Sequence, residues 1–101
     1  LEYGLVSRVV PDAELMPTAR GLAKEIATYA APVALALTKR MLWQFLLETD
    51  LVNVERINHT YFAWVGTTQD CREGVMSFLE KRPPKWTMKP SKDMPPNFPM
   101  E

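Results

Sequence analysis

The sequence predicts an all-α chain, with about four helices preceded by a short extended segment and followed by a proline-rich tail. Three observations lead there. Apolar residues recur at three- and four-residue spacing through four stretches between Asp12 and Leu79. A helix-starting residue heads each stretch: Asp12, Pro32, Asp50 and Thr67. Prolines at 83, 84, 90, 95, 96 and 99 then interrupt any regular structure beyond the last stretch.

The elements follow in order. Gly4 to Val10 is a short β-branched run stopped by Pro11, with no second strand to pair with. A first helix is expected from about Asp12, its N-cap, to Tyr29, with Leu15, Ala19, Leu22, Ala23, Ile26 and Ala30 on one face. Pro17 conflicts with that start: either the first turn is irregular or the regular helix begins nearer Met16. Ala31-Pro32 breaks this helix and begins the next, because a proline at the first position removes an N–H that has no helical partner anyway. Val33, Leu37, Met41 and Phe45 form its stripe, and its end is expected near Leu47 or Glu48.

Asp50 caps a third helix with Leu51, Val54, Asn58, Tyr61 and Val65 on one face, widened by Ile57 and Trp64, and Gly66 as the stop. Thr67-Thr68-Gln69-Asp70 has capping-box spacing and opens a fourth helix, with Val75, Phe78 and Leu79 as its apolar face and Pro83-Pro84 as its end. Gly74 within that helix suggests close approach of another helix. The tail carries Trp86, Met88, Met94, Phe98 and Met100, more large apolar groups than a solvated linker needs, so it is expected to dock on a surface of the full assembly.

Composition bounds the function. A chain of 101 residues is one domain at most, with a small core. Twelve basic and twelve acidic residues leave no net field to recruit nucleic acid. No apolar run approaches the roughly 20 residues of a membrane span. Cys71 is the sole cysteine, so no intrachain disulfide forms, which fits a reducing, cytoplasmic setting. His59 has no second ligand at metal spacing, so no metal site is expected. Cys71 has no histidine at a spacing that suggests a nucleophile pair. The opening Leu1-Glu2-Tyr3-Gly4, without Met, reads as the continuation of a longer chain.

The stretch Asp70 to Trp86, DCREGVMSFLEKRPPKW, resembles the C-terminal signature of the enoyl-CoA hydratase/isomerase family, the crotonases. Four more pieces resemble it in order and spacing: Tyr3 to Pro11, the Ala19-x-x-Leu22-Ala23-x-x-Ile26-Ala27 pattern, Ala31-Pro32-x-Ala34, and Thr38-Lys39. The resemblance covers residues 1 to about 87 and implies a C-terminal helical, oligomerisation region of a crotonase-like fold. The division expected is 1–87 for that region and 88–101 for the extended tail.

The resemblance implies an acyl-CoA thioester as substrate, with coenzyme A carried by the substrate and no separate cofactor. It also implies a homo-oligomer, a trimer or dimer of trimers. The family stabilises an enolate with two backbone N–H groups, and hydratases add two glutamates; these sit in an upstream domain, so no catalytic residue is expected in this chain. Glu48, Glu55, Glu73 and Glu80 are read as solvated or helix-end carboxylates rather than substitutes.

What carries over is CoA binding by Phe78 and Lys81, the Phe and Lys of the Phe-x-x-Lys-Arg segment. Their three-residue spacing puts both on one side of a helix. Against this, Lys81 also suits a helix C-terminus for its charge alone, and Phe78 is expected to spend most of its area in core packing. The function expected is therefore trimer assembly and bordering of the CoA site in an enoyl-CoA hydratase or isomerase. The alternatives are a free-standing helical interaction module or a small acyl-CoA carrier.

Overall fold

The computed structural model describes residues 2–98. Four helices make up the described chain: α1 (Asp12–Tyr29), α2 (Pro32–Phe45), α3 (Leu51–Gly66) and α4 (Gln69–Leu79), with no strand among the described residues. Residues 2–10 are turn, bend and open chain, with Tyr3 and Leu5 each 92% exposed. No described helix is long and apolar enough to cross a membrane.

α1 begins one residue away from its expected cap. Pro11 holds the N-cap position without a side-chain bond, and Asp12 is the first helical residue. Asp12 and Glu14 still lie in the first turn, where carboxylates favour the positive end of the helix dipole. The helix continues through Pro17 instead of starting after it. Pro17 removes one N–H, and the carbonyl it would have met, that of Ala13, belongs to an exposed residue that water can reach. Extended backbone at Ala30 and Ala31 then turns the chain into α2, as the residue before a proline favours.

α2 ends at Phe45, slightly earlier than expected, with Leu47 N–H bonding Gln44 O at 3.1 Å. Glu48 organises the next start. Its carboxylate accepts from Asp50 N, Thr49 N and Asn53 Nδ2, and these bonds hold its pKa below the usual carboxylate value, the Asp50 N–H contributing most. Asp50 caps α3 as expected, accepting from Val52 N at 2.9 Å.

The α3–α4 junction is made by threonines. Gly66 is the last helical residue, and Thr67 and Thr68 both return hydroxyl bonds to α3, on Trp64 O and Val65 O. Thr68, not Thr67, caps α4, accepting from Cys71 N at 3.2 Å. Asp70 is thereby released from the expected capping box. It lies 3% exposed and accepts from Thr87 N, Thr87 Oγ1 and Met88 N.

That carboxylate folds the tail back onto the helices. The core consists of Val33 and Leu37 of α2, Ile57 and Tyr61 of α3, and Met88 of the tail, with Met41, Phe45, Trp64, Val65, Met94 and Phe98 packed around it. The rings of Tyr61 and Phe98 sit 6.1 Å apart. The expected docking surface for the tail is therefore this chain's own α2–α3 layer. Met100 lies outside the described residues.

α4 presents the opposite face from the one expected. Asp70 and Ser77 are its buried residues, while Val75, Phe78 and Leu79 are 56%, 82% and 66% exposed. What approaches Gly74 is the Trp86 indole, not a helix. A Cβ at Gly74 would meet that ring at 3.5 Å, an ordinary contact, so glycine is tolerated there rather than required. α1 buries no residue at all and is tied to the tail where Trp86 Nε1 donates to Thr28 O at 3.0 Å.

The result is an open arrangement. Its radius of gyration is 16.7 Å, against about 13 Å for a compact domain of this length. Its surface is 8336 Å², against about 5,800 Å² for a compact monomer of its mass.

Candidate functional site

α4 ends in a tight reverse turn. Arg82 N–H reaches back to Ser77 O at 3.0 Å and Lys81 N–H to Phe78 O at 3.3 Å, the two bonds of a Schellman closure. Lys81 takes the left-handed position, φ 52°, where glycine is usual. The helix therefore stops at Leu79, before Pro83-Pro84, and the prolines only keep the outgoing chain extended.

An open groove of about 690 Å³ lies at this turn, with Phe78, Lys81, Pro83, Pro84, Tyr29 and Trp86 among the residues that line it. Phe78 and Lys81, the two residues singled out from the sequence, thus line one groove. The reason differs from the expected one. Lys81 is beyond the helix, so the turn brings the two together, not helical spacing. Nor is Phe78 a core residue: at 82% exposure it offers most of its ring to whatever occupies this surface.

The groove rim is held by charge. Arg82 grips Glu73 with two nitrogens, Nη1–Oε1 at 2.5 Å and Nη2–Oε2 at 3.0 Å, and Glu73 Oε1 also accepts Lys85 N–H at 2.7 Å. Arg82 Nε bonds Glu80 Oε2 at 2.5 Å. The Arg82 bonds, then the Lys85 N–H, pull the Glu73 carboxyl down to about 2, and the same pairing pushes the Arg82 guanidinium up. Lys81 enters neither ion pair of this cluster.

Chemically, aromatic faces and an exposed ring beside a lysine suit a ligand with a planar or apolar part and an anionic part. The carboxylates near the groove are engaged in structure: Glu73 and Glu80 with Arg82, Asp70 with the tail. Ser77 Oγ donates to Gly74 O at 3.0 Å. Cys71 is half-buried at the start of α4 and His59 is exposed on α3. No group of three potential metal ligands occurs among the described residues.

Sequence reasoning missed Glu73, Arg82, Tyr29 and Trp86 as parts of this site. The nine-residue separation of Glu73 and Arg82 matches no helical spacing, because a reverse turn intervenes. The Trp86–Thr28 bond spans 58 positions and has no local signal.

A sequence model described as Enoyl-CoA hydratase/isomerase matches residues 1–89. A Thermus thermophilus protein named "Putative enoyl-CoA hydratase" is 40% identical over 83 residues, covering 82% of this chain and 32% of that protein. The carnitinyl-CoA dehydratase of Proteus mirabilis is 34% identical over 90 residues, covering 85% of this chain and 34% of the dehydratase. Among solved structures, that of a probable enoyl-CoA hydratase/isomerase from Mycobacterium abscessus superposes with a TM-score of 0.79 at 32% identity, covering 87% of this chain and 35% of that one. The chain spans about a third of the length of the curated relatives it matches. A family match over most of the chain and a shared helical arrangement agree with the motif pieces, and the chain belongs to the enoyl-CoA hydratase/isomerase family.

Proposed function

We propose that this chain is the C-terminal helical part of an acyl-CoA enzyme, where it supports homo-oligomer assembly and borders the CoA site. The parent enzyme is an enoyl-CoA hydratase or isomerase, assembled as a trimer or dimer of trimers and working in the cytoplasm on a thioester whose CoA comes with the substrate. In this reading the enolate-stabilising and proton-handling groups belong to another part of the parent. Residues 1–87 form the helical unit and 88–101 its tail, although Met88 shares the core with α2 and α3. Phe78 and Lys81 contact the CoA moiety.

The observation that carries the reading is the groove at the end of α4, where an exposed Phe78 and a lysine outside the local ion pairs line the same surface. A phosphate contact by an ammonium on a long stem and an aromatic contact with a planar ring need only that arrangement. The test is Lys81→Ala in the complete enzyme. KM for a CoA thioester rises roughly fivefold with kcat little changed, the pattern of a lost binding contact. A thioester lacking the 3′-phosphate serves as control. An unchanged KM, with only a lower melting temperature, would leave Lys81 as a helix-end charge.

A further inference from the structure

Lys81 is the only non-glycine residue with a positive φ among the described residues. Left-handed backbone is unfavourable for a residue with a Cβ, and glycine would close the helix here without that cost. Strained backbone persists where its surroundings over-determine it, and such residues gather at ligand clamps.

The surroundings of Lys81 do so from both sides. Arg82 bonds the carboxylate of Glu80, immediately before Lys81, and its Nη1 lies 3.3 Å from Pro83 O, just after it. Its other bonds run to Glu73 on the preceding part of α4, and Glu73 in turn fixes Lys85 N–H. One guanidinium therefore ties the helix, the residue before the turn and the chain leaving it. Both Glu73 and Arg82 are only partly exposed, at 21% and 33% of their side chains. A bidentate fork fixes direction as well as distance, which a single-point contact would not.

We infer that Glu73 and Arg82 are positioning residues for Lys81: their ion pair presets the left-handed turn and so holds the lysine at the lip of the groove, beside Phe78. The inference rests on the reading of Lys81 as a CoA contact. It adds that binding strength depends on residues that do not touch the ligand.

The test is a double-mutant cycle in the full-length protein, with Kd for coenzyme A itself read by calorimetry. Glu73→Gln raises Kd about threefold when Lys81 is present and leaves it unchanged in the Lys81→Ala background, because the lost preorganisation then has nothing to position. A Kd raised equally in both backgrounds overturns the inference, since the pair then acts on the fold alone. A Kd raised by Lys81→Ala but not by Glu73→Gln also overturns it, while the CoA reading survives. A Kd indifferent to Lys81→Ala removes both. Arg82→Lys, which keeps the charge and loses the fork, is the second arm, used if Glu73→Gln does not fold; the same three outcomes decide it.

Discussion

Leu37 of α2 and Ile57 of α3 are 1% and 0% exposed, while Ile26 of α1 and Leu79 of α4 stand at 53% and 66%. All four are aliphatic residues on helices, yet the chain itself covers the first two and leaves the last two largely open. The α2–α3 pair closes over Met88 and is walled by Met94 and Phe98. α4 turns Asp70 and Ser77 inward and leaves its aliphatic and aromatic residues outside. Apolar periodicity thus identifies a face to be covered without saying by what. Here one set of faces is covered by the chain itself, and about 2,500 Å² of surface beyond that of a compact monomer stays open. That excess is of the order that obligate interfaces bury.

The largest effect is expected at single core positions. Leu37→Ala costs about 3 kcal/mol of unfolding free energy, from lost transfer and an unfilled cavity. Leu79→Ala costs within about 0.5 kcal/mol in the same chain, because its side chain is already wet. Denaturant titration of the two variants measures both. Equal costs would mean that α4 packs inward after all.

A middling effect is expected at the polar pin between the regions. Asp70→Ala leaves two N–H groups, those of Thr87 and Met88, without their carboxylate, at a cost of about 2 kcal/mol. Amide exchange at Thr87 and Met88 speeds up with the loss of the pin, while exchange in the middle of α3 changes least. Unchanged protection at Thr87 and Met88 would show that the tail is held by its apolar groups alone.

The smallest effect is electrostatic. Glu73 titrates at about 2 in the folded chain against an ordinary value of 4.5. A carboxyl with a lowered folded pKa contributes stability that is present above 4.5 and is lost as pH falls from there through about 2. Glu48, also lowered, acts in the same direction. Glu73→Gln flattens the acid limb of stability against pH in that window. A limb of unchanged slope would mean that the Arg82 pairing is not formed in solution.

Much of the fold was legible in the sequence because it is written locally. The Asp50 cap, the Pro32 start and the Val33–Leu37 stripe are one-helix features and appear as expected, whereas the α3 face centres on Ile57 and Tyr61 and leaves Leu51 and Asn58, two of its expected members, exposed. The failures lie where two distant segments meet. Asp70 looked like part of a capping box because that spacing is local, whereas its partners are 17 and 18 residues away. Phe78 looked like core because it is aromatic on a helix, whereas the inner side of α4 is filled by Trp86 over Gly74. At the site, Phe78 and Lys81 were found through the motif, but the turn that unites them was not. A left-handed lysine has no compositional signature when glycine is the usual occupant.

On the proposed function, other parts of an assembly cover the open faces of α1 and α4. Sedimentation of this chain over a wide concentration range tests it most directly. Association that grows with concentration is expected, because exposed Ile26, Phe78 and Leu79 gain from mutual burial. A strictly monomeric species throughout, with the hydrodynamic radius of a compact domain, would contradict it.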